Sequence, residues 1–337
     1  MKKSLIALAV LAASGAAMAQ STVELFGRLD VSLASSSTET TGTGAAAKLT
    51  QTGINSSNLN TQFWGLRGTE DLGGGLKAMF MLQSNFNTDT GAAAANFFDR
   101  EAWVGLSGGF GTLKAGRNYT AYDALAAATN HTYNSNINVT GAVFGTGLAQ
   151  YSPRANNSVV YESPAVSGVS GSLSYGFGEN KLPTASATDI TALQVRYANG
   201  PLLVGVAYQN EETRATGATT NGADLKHSLV GASYNLGVAA VTGHYQTAKQ
   251  GATKDKEYQI GVSIPMGAFA LALGYADSES KTGAVKNDGS GYALVGTYNL
   301  SKRTTAYVGY ESSKVESAGG ATTTKATNLA MGVRHTF

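Results

Sequence analysis

The 337-residue chain has no cysteine, only 5 prolines and few charged residues, 14% of the total. The lack of cysteine excludes a disulfide framework and thiolate chemistry. The low charge argues against a chain kept disordered by charge repulsion. No apolar stretch reaches the ~18 residues that a transmembrane helix needs. The length exceeds the ~250–300 residues of one packed soluble domain, which indicates two domains or a barrel.

The first residues have the features of an export signal. Lys2 and Lys3 precede the apolar run 5–13 and a small-residue cleavage site. We predict a signal peptide over residues 1–19 and a mature region over residues 20–337. Its removal takes two of the 24 basic side chains and none of the 22 acidic ones, which leaves 22 of each. A general basic surface for nucleic acid therefore has no support.

Apolar and polar side chains alternate through most of the remaining chain. In residues 23–33, one face is apolar and the other carries Glu24, Arg28 and Asp30. Apolar-out, polar-in alternation is what a bilayer requires of a barrel with a water-filled lumen. The predicted strands are 22–35, 59–71, 75–87, 98–108, 111–119, 157–166, 169–179, 189–199, 202–211, 225–236, 238–248, 256–266, 269–279, 291–300, 304–313 and 327–337. Sixteen strands leave an open lumen, whereas eight are filled by side chains.

The connections between these strands are alternately short and long. The predicted long loops are 35–58, 87–97, 179–190, 211–224, 247–256, 279–290 and 313–326. Outer-membrane barrels have short periplasmic turns and long outer loops. We therefore predict an all-β fold, an antiparallel transmembrane barrel. A secreted soluble β-protein is the alternative, and it leaves the polar face of nearly every strand unexplained.

Several segments resemble the Gram-negative general porins, above all those of beta-proteobacteria. They are residues 23–28, 63–78, 111–119, 122–125 and the C-terminal end, 332–337. The resemblance implies a homotrimer of sixteen-stranded barrels in the cell outer membrane, embedded in lipid and lipopolysaccharide. It also implies a third loop that folds inward and narrows each pore, passive passage of small hydrophilic solutes, and no cofactor.

The segment 120–156 fits that third loop. It is far longer than the ~12–15 residues of an ordinary connection, which indicates a function. Val143, Phe144 and Gly145 resemble the loop tip, and Val143 stands where many relatives carry an acidic residue. No Asp or Glu occurs from 124 to 161.

A basic wall is predicted to face this loop. The resemblance places Arg28, Arg100 and Arg154 on it, while Phe63 stands where the family usually has another arginine. Strand alternation adds further lumen-facing candidates and leaves the direction of Arg117 open. The complete predicted wall is Arg28, Arg100, Arg154, Arg67, Lys77, Arg196 and Arg334.

Arginine stays protonated at any working pH, and rings of basic side chains in a narrow pore favour anions. We therefore predict an anion-preferring diffusion channel for inorganic and organic anions and other small solutes. One alternative is that these arginines pair with lumen acids such as Glu24, Asp30 or Glu70 and set no selectivity. A channel specific for phosphate or organic anions and a non-conducting structural or adhesive barrel are the others.

No catalytic or metal site is predicted. The four histidines lack metal-ligand spacing, and no nucleophile motif supports an outer-membrane hydrolase. If Arg100 points inward, alternation places Glu101 outward with Trp103, where a charge facing lipid is costly. That placement predicts a trimer contact on strands one to five and the last strand, with 88–97 reaching toward a neighbouring subunit.

Overall fold

The described part of the chain is almost entirely β-structure. The computed structural model describes residues 22–42, 46–130, 135–178, 187–214 and 223–337. The predicted signal peptide lies outside the described residues. None of the helices in these ranges has the length and hydrophobicity to cross a bilayer.

The strands follow one another with few helical interruptions. They are β1 Thr22–Gly42, β2 Ala47–Ser56, β3 Phe63–Gly73, β4 Leu76–Ser84, β5 Glu101–Gly108, β6 Gly111–Tyr119, β7 Arg154–Glu162, β8 Val169–Gly176, β9 Ala187–Asn199, β10 Leu202–Arg214, β11 Leu225–Asn235, β12 Ala240–Gln250, β13 Thr253–Met266, β14 Phe269–Thr282, β15 Val285–Asn299, β16 Thr304–Ser317 and β17 Thr322–Thr336. The helices are α1 Ala121–Ala128, α2 Val139–Val143 and a 3₁₀ turn, Ala318–Gly320.

The strands form one closed antiparallel barrel. Each strand from β3 to β17 pairs with the next, and β17 pairs with β1 to close the sheet. β2 pairs with residues 31–40 of β1, and β3 pairs with residues 22–28 of the same strand. The two segments therefore occupy one position in the barrel. The seventeen segments therefore fill sixteen positions, and the predicted sixteen-stranded barrel is confirmed.

The two faces of the sheet differ as the alternation predicts. On β1, Val23 is 68% exposed on the outside, whereas Asp30 is fully buried inside. On the outer face, Tyr245 pairs with Tyr258 across β12 and β13, and Tyr275 pairs with Tyr292 across β14 and β15. Tyrosines at one level are typical of the aromatic girdle at a membrane interface.

Several predicted outer loops are wrong in extent. The predicted loops 247–256, 279–290 and 313–326 are mostly strand, because β12 to β17 continue to turns at 251–252, 283–284 and 318–321. Above the bilayer both faces are polar, so the ladder continues after the apolar alternation has ended. Hydroxyl pairs support this extension, as between Thr253 and Thr282 with 2.7 Å between their oxygens. The predicted loop 35–58 likewise contains the end of β1 and all of β2.

The segment between β6 and β7 runs inside the barrel. Tyr122 and Leu125 of α1 are fully buried with Leu229 on the inner face of β11. Val139 and Val143 pack with inner-face residues of β14 and β15. The apolar core therefore lies between this inward-folded third loop and the wall formed by β9 to β17 and β1.

Candidate pore constriction

Carboxylates of the barrel wall hold the third loop through its backbone. The Gly145 amide donates to Oε1 of Glu257 at 2.5 Å, and the Leu148 amide donates to Oδ2 of Asp255 at 2.8 Å. Both carboxylates come from β13 and are buried. Their alternate spacing places both on the inner face. Two carboxyl groups of this wall therefore face loop amides.

A third carboxylate acts in the same way further along the loop. Glu211 of β10 accepts from the Ser152 amide at 2.7 Å and from the Ser152 hydroxyl at 2.9 Å. Tyr122 of α1 donates its hydroxyl proton to Oε1 of Gln246 at 3.1 Å. Burial raises the pKa of the Tyr122 phenol well above its usual range, so this donor stays neutral.

Two inner-face glycines allow the loop to approach the wall closely. A Cβ added at Gly231 would lie 2.7 Å from Oγ1 of Thr129, and one at Gly309 would lie 2.4 Å from Cδ1 of Ile137. Both distances are shorter than any side chain tolerates without displacement of its neighbour. The wall is therefore flat where α1 ends and where the loop turns toward α2.

On the opposite side of the lumen, an aromatic ring separates two arginines. The guanidinium carbons of Arg28 and Arg100 each lie 5.1 Å from the centroid of the Phe63 ring. Arg28 also donates from Nη2 to the carbonyl oxygen of Thr61 at 2.6 Å. Cation–π contact at this distance stabilises a guanidinium by about 0.5–2 kcal/mol. Phe63 thus holds two cations without neutralising either.

Tyr119 joins Arg100 to the next arginine. Its hydroxyl accepts from Nη2 of Arg100 at 2.6 Å and from Nη2 of Arg154. The Arg154 guanidinium lies 4.2 Å from the Tyr119 ring centroid. Arg100 is 4% exposed and also donates from Nε to Oε1 of Gln83 at 2.8 Å.

Arg334 completes this group. It donates from Nη1 to Oδ1 of Asn60 at 2.8 Å and from Nη2 to Oγ1 of Thr305 at 2.9 Å. The charges of Arg100 and Arg334 both act electrostatically on Arg28. We call Arg28, Arg100, Arg154 and Arg334 the arginine cluster. Arg28, Arg154 and Arg334 donate to neutral oxygens.

The acid nearest to this cluster is occupied by other donors. Asp30 accepts from the amides of Leu59 and Asn60 at 2.9 and 2.5 Å and from the Tyr307 hydroxyl at 2.6 Å. Its charge also acts on Arg28. The carboxylate therefore fixes the 57–62 interruption between β2 and β3.

The structure does not bring the other predicted basic residues to this cluster. Arg67 forms an ion pair of 2.8 Å with Glu24, in agreement with the alternative that the wall arginines pair with lumen acids. Its guanidinium carbon lies 4.7 Å from the centroid of the Phe26 ring. Lys77 and Arg196 line a separate cavity of about 550 Å³. These three residues face the lumen away from the arginine cluster.

The predicted loop-tip residues contact the wall. Val143 and Phe144 are buried in the core between α2 and the barrel. The Val143 carbonyl accepts from the Ser278 hydroxyl at 2.7 Å. Gly145 has φ +81°, a conformation that favours glycine, and offers its amide to Glu257. The tip thus attaches the loop and contributes no charge.

The expectation that Glu101 and Trp103 point outward is wrong. Glu101 accepts from the Trp103 indole at 2.9 Å, and Lys114 lies 5.1 Å over the Trp103 ring. Glu101 and Lys114 line one lumen cavity with residues of α1. Alternation does not extend back to Arg100, because β5 begins at Glu101 and the preceding chain is irregular.

Arg117 is the residue whose direction the sequence leaves open. It pairs with Ala102 on the outer face of β5, next to a register shift between Gly116 and Asn118. Its Nε donates to the Asp99 carbonyl at 2.7 Å. Arg117 thus keeps the outward parity of Leu113, and the bulge beside it changes the register with β7.

Sequence reasoning missed Tyr119 and the loop-holding acids. The signal for Asp255 and Glu257 was available, because both alternate with the outward residues of β13. Nothing in the sequence indicates that Tyr119 bridges two arginines. In the described ranges, no group of three or more His, Asp or Glu residues has the arrangement of a metal site.

A closed barrel with an apolar outside, a polar inside and a loop across its lumen defines a transmembrane channel. The family model described as Gram-negative porin matches residues 5–318. Outer membrane porin protein 32 of Delftia acidovorans is 35% identical over 365 residues, with all of both chains covered. The major outer membrane protein P.IB of Neisseria lactamica is 28% identical, also with full coverage of both.

A solved structure agrees with these matches. The anion-selective porin from Comamonas acidovorans superposes with a TM-score of 0.79 at 28% identity and covers 94% of this chain and 100% of its own. The chain belongs to the Gram-negative porin family. It is an outer-membrane diffusion channel and not an enzyme.

Proposed function

We propose that this porin prefers anions among the small hydrophilic solutes that diffuse through it. The observation that carries the proposal is an unequal use of charge across the lumen. Arg28, Arg154 and Arg334 of the arginine cluster donate to neutral oxygens, whereas Glu211, Asp255 and Glu257 accept hydrogen bonds from the loop. The acids are therefore masked, and the arginines act on the pore.

The physical effect follows from the geometry of a narrow aqueous path. Low-dielectric walls focus the field of fixed charges, which raises the local concentration of counter-ions. Guanidinium groups remain charged at any working pH and bind carboxylate and phosphate well. The solved relative from Comamonas acidovorans is described as anion-selective, which supports the same preference here.

Reversal potentials in a steep KCl gradient test this proposal. We expect the wild-type channel to favour chloride, and the variant Arg28→Gln with Arg334→Gln to lose most of that preference. Lys302→Gln with Arg303→Gln removes the same charge at the turn between β15 and β16 and should leave the potential unchanged. Cation selectivity of the wild type would overturn the proposal, as would equal potentials in the two variants.

A channel specific for phosphate or organic anions is a narrower candidate. The Phe63 ring, flanked by two guanidiniums, offers an apolar surface beside fixed charge. Such a site predicts conductance that saturates with one anion and not with chloride. Conductance that rises linearly for phosphate and small carboxylates favours general diffusion.

We also propose a homotrimer whose subunit contact is formed by the first five predicted strands and the last strand, with 88–97 reaching toward a neighbouring subunit. In the structure these strands are β1, β3 to β6 and β17. Glu101 faces the lumen and therefore gives no support to this contact. Support comes from Trp64, Phe97 and Phe98, whose rings cluster outside, with Phe97 69% exposed. Chemical cross-linking that yields only monomer would refute the trimer. Lipopolysaccharide is the proposed partner on the remaining outer surface.

A further inference from the structure

A row of lysines crosses five consecutive strands on the outside of the barrel. Lys226 pairs with Lys249, Lys249 with Lys254, Lys254 with Lys281, and Lys281 with Lys286, from β11 to β15. Cross-strand partners share a face. We call these five residues the lysine row.

The row faces out of the barrel and not into the lumen. Each lysine has the same parity as an exposed apolar or aromatic residue of its own strand, as Lys254 does with Ile260 and Lys281 with Leu273. The intervening Asp255 is buried under the loop inside. The row therefore meets whatever surrounds the barrel.

The row lies beyond the aromatic girdle, where lipid headgroups are expected. Lys249 and Lys254 each lie four residues beyond Tyr245 and Tyr258 of the aromatic girdle. Strands rise about 3.3 Å per residue, so the lysines lie about 13 Å along the strand from those rings. The row is at the barrel end that carries the long connections 85–100 and 120–153, which is the outer end in barrels of this type, and its own strands are joined there by the two-residue turns 251–252 and 283–284.

Like charges directly opposite each other destabilise a sheet, so the row needs anions to offset the repulsion. Acidic side chains of the protein supply them at the two ends of the row. Asp224 lies 3.5 Å from Lys226, and Glu279 lies 2.9 Å from Lys281 and 3.1 Å from Lys286. In the middle, Lys249 and Lys254 form no ion pair with any residue that the structure describes. The same holds for Lys256, the next outward residue of β13.

We propose that the centre of the lysine row, Lys249, Lys254 and Lys256, binds phosphate groups of lipopolysaccharide in the outer leaflet. Ammonium groups near a membrane surface attract anionic headgroups, and the effect adds over neighbouring lysines. Strands β12 and β13 lie away from the proposed trimer contact, so lipid covers them. The inference rests on the proposed lipopolysaccharide partner and specifies its site.

The test compares two variants of the full-length folded protein. Lys249→Gln with Lys254→Gln removes the centre of the row, and Lys302→Gln with Arg303→Gln removes equal charge at the short-turn end. Titration with labelled lipopolysaccharide should show about tenfold weaker binding for the row variant and no change for the control. Lys249→Arg with Lys254→Arg should keep binding, since it keeps the charge.

Two further arms identify the ligand. Lipopolysaccharide stripped of its phosphates should bind the wild type as weakly as intact lipopolysaccharide binds the row variant. Millimolar inorganic phosphate should compete poorly, because it lacks the acyl chains that the girdle contacts. Equal binding by both variants, insensitivity to phosphate removal, or full competition by inorganic phosphate would overturn the site.

Failure of this inference is distinguishable from failure of the channel function. Single-channel conductance and reversal potential, recorded on the same preparations, should be equal in the row variant and the wild type. Unaltered lipid binding with normal conductance refutes the lysine row alone. A row variant that no longer migrates as a folded barrel before heating is replaced by the single variant Lys254→Gln, with a smaller expected loss.

Discussion

The two walls of the lumen handle charge in opposite ways. On β10 and β13, Glu211, Asp255 and Glu257 are buried and bonded to backbone amides of the loop. On the other wall, the arginine cluster rests on Phe63, Tyr119 and neutral oxygens. A chain with nearly balanced charge, 22 acidic and 24 basic side chains, can thus present a positive constriction, because the two signs lie on different walls and make different contacts.

The asymmetry follows from the chemistry of the two groups. A carboxylate accepts several hydrogen bonds, and a loop that crosses the lumen has amides that need acceptors. A guanidinium is planar, so aromatic faces can support it while its charge stays available. Loop attachment and selectivity are therefore two results of one charge distribution.

The largest effect is expected when the acids that hold the loop are removed. Hydrogen bonds to charged groups contribute about 1.5–3 kcal/mol each, so Asp255→Ala with Glu257→Ala should loosen the loop. We expect severalfold larger open-channel current noise in single-channel recordings. Asp277→Ala with Asp288→Ala changes the same charge on outward positions and serves as the control. Equal noise in both variants would show that these acids do not hold the loop.

A smaller effect is expected from filling the gap behind α1. Gly231→Val forces side-chain atoms against Thr129, whose Cβ would lie 3.0 Å from the added Cβ. Overpacking of this kind costs about 1–3 kcal/mol, and the helix end should shift into the lumen. Single-channel conductance should fall. Gly296→Val is the control, since its added Cβ meets only Val308 at 3.7 Å. Unchanged conductance in Gly231→Val contradicts close packing there.

Phe63→Arg tests the wall that carries the arginine cluster. It adds a fixed positive charge between Arg28 and Arg100 and should raise the ratio of anion to cation permeability about twofold. Phe63→Leu keeps an apolar side chain without the ring and should change the ratio little. Reversal potentials measure both. A ratio for Phe63→Arg equal to that of the wild type would place Phe63 outside the ion path.

The smallest effect concerns Arg67 and Glu24, which are half exposed. Exposed ion pairs contribute little to stability, so Glu24→Gln should leave stability nearly unchanged. It should increase anion preference slightly at low salt, and the increase should vanish at high salt through screening. A large shift that persists at high salt would indicate that this pair belongs to the constriction.

Much of the barrel can be predicted from alternation, and the failures have two causes. Alternation needs one apolar face, so it identifies the bilayer-spanning parts of β13 to β17 and misses their polar extensions. It also fails at Glu101, where a strand begins. In the extensions the period of two persists without an apolar face that would reveal it, whereas before Glu101 the backbone is irregular and the period does not apply.

The sequence alone determined the class of fold, the apolar outer face and the lack of acids from 124 to 161, because each depends on local pattern. Only the tertiary structure decided which charges act on the pore. Arg28, Arg100 and Arg334 come from distant parts of the chain and meet through sheet closure, and Asp255 is masked by a loop more than a hundred residues away. Charge neutralisation depends on which groups come within bonding distance, and the closed barrel establishes those distances.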